Sequence, residues 1–233
     1  MIRYFFPPQP TRIWPSSPLL LSLGNQGWDA EIKYNGWRIL LFKEDKKTIK
    51  IYNRRATIID IDHQQFLPLF ETIPTGSVFD GELLDRRTKD LKGIMVLFDA
   101  MFFKDKDLRN QPLTERRKYL ERFDHVPAKF SSSIVGRGQV FRIQQYTGNF
   151  LKLYNERVAL NDPIEEGVVL KKTNSIYKHH PSRGIDTLDW LKVKKIGAHA
   201  LVGTENGRST TNPLIIPNIK GNQKLAPRTG HRS

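Results

Sequence analysis

The pattern of apolar and polar positions predicts a chain rich in strands. Trp28, Ala30 and Ile32 alternate with Asp29, Glu31 and Lys33, the period of a strand with one buried face, which puts Glu31 and Lys33 on the same side. Asn35-Gly36 follows, a dipeptide that tolerates positive φ, and Trp37 to Phe42 reads as the returning, more buried strand of a hairpin. Thr48 to Asn53 alternates again. Val78 to Leu84 is an apolar run broken by Asp80, Gly81 and Glu82, and Gly93 to Phe103 is the most apolar stretch, expected as a central strand. Further strands are expected at Val140 to Tyr146, Glu165 to Lys171 and Trp190 to Lys194. Helical spacing predicts a short helix over His63 to Ile73, an amphipathic helix within Leu108 to Phe123 starting near Thr114, and another near Asn149 to Leu160. Residues 1–25, rich in Pro and Ser, are expected to run extended over the surface.

Composition narrows the partners. With 233 residues and 38% hydrophobic content the chain has room for one large domain and a real core. Lys and Arg total 38 against 24 acidic residues, a formal charge of +14, so the natural partner is a polyanion. No apolar run approaches the roughly 20 residues of a spanning helix, and no membrane partner is expected. Cysteine is absent, which excludes disulfides, thiolate zinc sites and cysteine nucleophiles. Met1 to Pro18 lacks the apolar core and small-residue cleavage site of a signal peptide, and the chain reads as intracellular, in cytoplasm or nucleoid.

Several residues carry candidate chemistry. Lys33 sits at a strand end beside a turn, and a lysine amine becomes a nucleophile where neighbouring cations or desolvation favour its neutral form. Glu82 interrupts an apolar strand and Glu165-Glu166 enter another, where a carboxylate is unfavourable unless paired or bound to a metal. Lys192 and Lys194 lie two apart on one strand face, so both ammonium groups can address one phosphate. Arg54-Arg55 after a strand suits either a solvated edge or a phosphate, and Phe98 suits either core packing or stacking. His179-His180 has no third ligand at a metal-binding spacing, and Gly136-Arg137-Gly138 lacks the spacing of a phosphate loop.

Together these residues carry a resemblance. Lys33-Tyr34-Asn35-Gly36-Trp37-Arg38 resembles the nucleophile motif of the covalent nucleotidyltransferases, most of all the ATP-dependent DNA ligases, which read Lys-x-Asp-Gly-x-Arg; Asn35 stands where that family has aspartate. Asn53-Arg54 looks like the family's Ser-Arg pair, and Asp80-Gly81-Glu82-Leu83 matches its Asp-Gly-Glu-Leu. Phe98-Asp99 resembles the segment whose aromatic ring stacks on adenine. Glu166 to Lys171 matches Glu-Gly-Val-Val-x-Lys, and Trp190 to Lys194 matches Trp-Leu-Lys-x-Lys. The motifs follow the family order and span about residues 28–196.

The resemblance implies an α+β fold, a nucleotidyltransferase (adenylation) domain of antiparallel sheets flanked by helices, similar to an ATP-grasp. It would occupy residues 26–196, after the extended segment 1–25 and before a short basic tail, 197–233, too short for a complete OB-fold and read as a remnant of its start at Ala198 to Gly203. The implied activity is ATP-dependent sealing of 5′-phosphate/3′-hydroxyl nicks through a lysyl-AMP intermediate on Lys33, with ATP and Mg²⁺ or Mn²⁺ as cofactors. Glu31 would read the adenine side, Arg38 and Arg54 the ribose and the nick phosphate, and Phe98 would stack on the base. Glu82 and Glu166 would hold the metal, and Lys192 and Lys194 the α-phosphate. Nicked duplex, DNA in the first instance, is the implied partner of a monomer assisted by a partner domain or protein in place of the OB-fold. Asn35 keeps an ATP-dependent RNA ligase open, and a capping-type guanylyltransferase fits less well. The charge alone would permit a catalytically idle nucleic-acid-binding module, which leaves the carboxylates unexplained.

Overall fold

A computed structural model describes residues 2–15, 17–24, 26–61, 63–85, 91–128, 130 and 138–195. In chain order the elements are β1 (Gln9–Arg12), α1 (Ser17–Leu23), β2 (Trp28–Tyr34), β3 (Trp37–Lys43), β4 (Ile49–Asn53), α2 (Leu67–Thr72), β5 (Ser77–Leu84), β6 (Ile94–Phe103) and β7 (Lys106–Asp107). There follow α3 (Leu113–Arg117), β8 (Gln139–Arg142), β9 (Gln145–Tyr146), α4 (Phe150–Leu160), β10 (Glu165–Lys172) and β11 (Asp186–Lys194). Two sheets result. One has the order β1-β11-β10-β2-β9; the other has β4-β3-β5-β6-β7, with β8 added on β6. Most pairings are antiparallel, and the exceptions are β1 on β11 and β8 on β6.

The expected hairpin at Asn35-Gly36 does not form. β2 pairs with β10 and β9 in the first sheet, whereas β3 pairs with β4 and β5 in the second, so the dipeptide carries the chain from one sheet to the other. Neither residue takes a positive φ. Distant partners hold the crossing: the Asn35 N–H donates to the Ile164 carbonyl at 2.7 Å and the Gly36 N–H to Glu82 Oε1 at 3.0 Å. A Cβ on Gly36 would stand 2.6 Å from the Leu83 carbonyl oxygen, so glycine is required here for close approach and not for a left-handed turn.

Other expectations change in the same way. Val140 to Tyr146 is two short strands, β8 in the second sheet and β9 in the first, with the Ile143 N–H bonded to the Leu97 carbonyl between them. Within Leu108 to Phe123 the helix is short: α3 follows Pro112 and passes into a single 3₁₀ turn, Lys118–Leu120. Its arginines Arg116 and Arg117 are buried in ion pairs. The N-terminal segment is not merely extended over the surface. β1 is the edge strand beside β11, and α1 packs near α4.

Three apolar clusters hold the layers. The first joins Leu20, Leu23, Phe150 and Leu153 of the two helices to Ala30, Val168 and Leu191 of the first sheet, and reaches Ile94 and Val96 of the second. Another packs Phe66, Phe70, Leu120 and Phe123 on Ile39, Leu41, Phe79 and Leu97. The last closes the space between the sheets with Phe5, Phe42, Val78, Tyr177 and Trp190. Burial of such side chains stabilises by about 1.5–3 kcal/mol each, which is what holds the sheets face to face. Among the described residues no helix is long and apolar enough to cross a membrane. The Gly136-Arg137 loop and the tail 197–233 lie outside the described residues.

Candidate active site

The sheets enclose a cavity of about 480 Å³, lined by the site residues that the motifs implied: Glu31 and Lys33 on β2, Arg38 on β3, Arg54 just beyond β4, Glu82 on β5, Phe98 on β6, Glu166 on β10, and Lys192 and Lys194 on β11. The strand period puts Glu31 and Lys33 on one face, as the alternation predicts. Lys33 Nζ lies 2.6 Å from Glu166 Oε2, and Lys194 Nζ lies 2.9 Å from the same oxygen. Burial by itself would raise the Glu166 carboxyl, but hydrogen bonds and charges from Lys33 and Lys194 outweigh it and hold the group below its ordinary range.

A bulge aims Glu166. In the β10–β2 ladder Glu165 faces Tyr34 and Gly167 faces Lys33, so Glu166 is the extra residue, turned toward the lysines. Gly167 makes this possible with a φ of +141°, and a Cβ there would fall 2.0 Å from the Val193 carbonyl oxygen. Glu165 points elsewhere and pairs with Arg157 at 3.3 Å. Geometry thus chooses between two adjacent glutamates.

Glu82 faces the same cavity from the second sheet. Burial raises its pKa to about 7, with Lys33, Arg38 and the Gly36 N–H acting in the opposite direction and Glu166 adding to the rise. Lys192 is held below the usual ammonium range by burial, with Asp186 acting in the opposite direction and the charges of Lys33, Lys194 and Arg12 adding to the fall. Arg38 is fixed rather than free. Its Nε and Nη2 donate to the two oxygens of Asp80 at 3.0 and 2.6 Å, its Nη1 donates to the Pro8 carbonyl at 2.6 Å, and its guanidinium lies between the Phe98 and Trp190 rings. Burial would weaken that charge, but Asp80 outweighs burial and keeps Arg38 protonated.

Glu31 is engaged from both sides, by Lys171 Nζ at 2.7 Å and by Arg117 Nη2. Its carboxylate is therefore occupied inside the protein rather than presented free for a base. Lys171, absent from the sequence-derived site, lies buried between the Phe98 and Trp190 rings at 4.3 and 4.2 Å. The signal for it was the lysine that closes the Glu-Gly-Val-Val-x-Lys match, the first of the pair Lys171-Lys172 after the apolar run Val168 to Leu170. Arg54 is exposed at the rim with Arg55. His179 and His180 stay in a loop, where the Phe6–His180 bridge holds them.

Among the described residues no cluster of three or more His, Cys, Asp or Glu can hold a metal. Glu82 and Glu166 are nevertheless hard oxygen donors on facing walls of one cavity. A magnesium-type ion that keeps several waters and takes substrate phosphates needs only one or two carboxylates, so this donor set fits it.

Residues 85–194 match the family model described as ATP dependent DNA ligase domain. No curated protein sequence matches the chain. Among solved structures, a mycobacterial DNA ligase D complexed with ATP and MES is similar with a TM-score of 0.58 and 20% identity, over 82% of this chain and 60% of that one. The ATP-dependent DNA ligase from bacteriophage T7, in complex with ATP, is similar with a TM-score of 0.50 and 15% identity, over 81% of this chain and 68% of that one. A Lig E DNA ligase, from work on DNA binding with a minimal scaffold, gives the same values. The chain thus spans about 60% of the length of the mycobacterial ligase it matches. The sheet-dominated fold with few helices is that of the nucleotidyltransferase domain of ATP-dependent ligases, as the motifs implied.

Proposed function

We propose that this chain, folded as the nucleotidyltransferase domain of ATP-dependent ligases, seals 5′-phosphate/3′-hydroxyl nicks in duplex DNA through an adenylate carried on Lys33. The observation that carries the reading is the meeting of Lys33 and Lys194 on one oxygen of Glu166, with Lys192 and Glu82 lining the same cavity. Phosphate binding alone calls for cations and gives no reason to aim a carboxylate at a lysine.

Lys33 reacts as the neutral amine after giving its proton to water, and Glu166, in contact at 2.6 Å, orients it. Nζ then attacks the α-phosphorus of ATP. An N–P bond forms as the P–O bond to pyrophosphate breaks, and Lys192 and Lys194 face the charge that builds on the α-phosphate oxygens. Phe98 offers a ring to the base beside the fixed guanidinium of Arg38, and Arg54 offers a cation at the rim to ribose or nick phosphate. Glu31 serves the site by holding Lys171 under Phe98. When bound, a divalent ion would be held by Glu82 and Glu166 and would neutralise phosphate charge. The adenylate then passes to a 5′-phosphate, and a 3′-hydroxyl displaces AMP.

The test is incubation with α-labelled ATP or GTP and Mg²⁺, then denaturing electrophoresis, with Lys33→Ala beside the wild type. Label from ATP that stays on the wild type and vanishes in the variant is the expected result. Label from GTP would move the reading to capping chemistry. No label from either would sink it.

A further inference from the structure

β1 places two side chains that the reaction above does not use. Thr11 turns inward, where its hydroxyl donates to the Thr187 carbonyl at 2.9 Å, and the ladder with β11 is irregular between Pro10 and Thr11; the exposed Arg12, next along the strand, turns away from Thr11. Pro10 lines the cavity. Arg12 also stands opposite Lys192 in the parallel ladder with β11, and Lys192 lines the cavity too. Residues paired across neighbouring strands share a face, so the pairing with Lys192 puts Arg12 beside the cavity mouth, just outside the residues that line it.

The charges there are not balanced. Lys33 and Lys194 share Glu166, and Arg38 holds Asp80. Among the described residues neither Arg12 nor Lys192 has an ion-pair partner within contact distance; Asp186 acts on Lys192 as a counter-charge from farther off, against the combined charges of Lys33, Lys194 and Arg12. Arg12 is exposed and lies against the Trp14 ring, 5.9 Å from its centroid; Trp14 is itself 46% exposed. A guanidinium steadied by an aromatic ring loses less side-chain freedom on binding, and its planar fork suits a phosphate.

We propose that Arg12, oriented by Trp14, forms with Lys192 a phosphate subsite at the cavity mouth that takes the polyphosphate tail of the nucleotide. The nucleotide assignment rests on the function proposed above; the phosphate subsite does not. Arg12 touches the leaving group, whereas Trp14 acts through Arg12.

The test is calorimetric titration of the full chain with inorganic tripolyphosphate and, separately, with AMP. For Arg12→Ala the tripolyphosphate Kd is expected to rise about tenfold while the AMP Kd stays within about twofold, as expected for the loss of one charge-assisted contact. Arg12→Lys should recover part of the loss. Trp14→Ala should give a smaller loss that Trp14→Phe restores. No tripolyphosphate binding by the wild type, an unchanged Kd in Arg12→Ala, or an equal loss for AMP overturns the subsite. Nicked duplexes with 5′-phosphate or 5′-hydroxyl ends separate the two sources of phosphate. Loss of preference for the 5′-phosphate in Arg12→Ala, with tripolyphosphate affinity unchanged, would overturn the nucleotide-tail assignment. Arg12-dependent tripolyphosphate binding in a protein that takes no label on Lys33 would remove the nucleotidyl transfer and leave the subsite standing.

Discussion

Two ion clusters lie close to the cavity and are built on opposite principles. Arg116 and Asp99 are both fully buried and joined by two parallel hydrogen bonds of 2.8 Å, and the remaining Arg116 donor serves the Gln111 and Ser175 carbonyls. Lys33, Glu166 and Lys194 are 22%, 21% and 39% exposed, and two cations share one oxygen. The first cluster cannot exchange partners without stranding a charge in an apolar interior. In the second, water and a second cation are at hand, so either lysine can leave for another anion at small cost. The rigid pair anchors the frame: Asp99 faces Asp80 across the β5–β6 ladder, and Asp80 holds Arg38 and accepts from the Tyr177 hydroxyl at 2.7 Å. On the proposed function, chemistry falls to the exchangeable cluster and position to the fixed one.

Breaking the rigid pair should have the largest effect on stability. Asp99→Ala leaves Arg116 buried and unpaired, and the unfolding free energy in urea is expected to fall by about 3–5 kcal/mol. A loss under about 1 kcal/mol would mean that the pair is no anchor.

Glu82 gives an intermediate effect, visible in pH. Its folded pKa of about 7 lies above the ordinary 4.5, so between these values the folded protein keeps a proton that the unfolded chain has lost. Stability contributed by this group is therefore full below pH 4.5, falls as pH rises through about 7, and then levels off. The swing is expected to be about 1–3 kcal/mol. Glu82→Gln should remove it, and thermal melts from pH 4.5 to 8, taken as the difference between wild type and variant, would show it; parallel profiles would contradict it.

The smallest effect on stability sharpens the comparison most. Glu166→Gln should change the unfolding free energy by about 1 kcal/mol or less, because the cluster is partly solvated. Labelling of Lys33 should nevertheless fall about 100-fold, since the nucleophile loses the carboxylate that orients it. A destabilisation as large as that of Asp99→Ala would put both clusters in the same structural class.

How far the sequence reached depends on the range of the interaction that decides each feature. The alternation about Lys33 and the spacing of Lys192 and Lys194 were legible, because a strand's period is set by neighbours two residues apart. Residue types at Glu82, Phe98 and Glu166 were legible as chemistry, and the fold meets them in one cavity. The crossing at Asn35-Gly36 was not, since the local preference for a hairpin loses to Glu82 and β10, which lie far along the chain. Nor was the burial of Arg116 and Arg117, whose partners are 17 residues away for Asp99 and 86 for Glu31.

By itself, then, the sequence determined which side chains alternate, where the longer strands β2, β3, β5, β6 and β10 form and which residue types are available for phosphoryl chemistry. Tertiary structure alone decided that the chain passes between two sheets after Lys33, that a bulge at Gly167 aims Glu166 rather than Glu165, and that the N-terminal strand becomes a wall of the site. Periodicity is a property of adjacent residues, whereas partner choice is settled by burying one complete set of apolar faces and charges at once, which no local window contains.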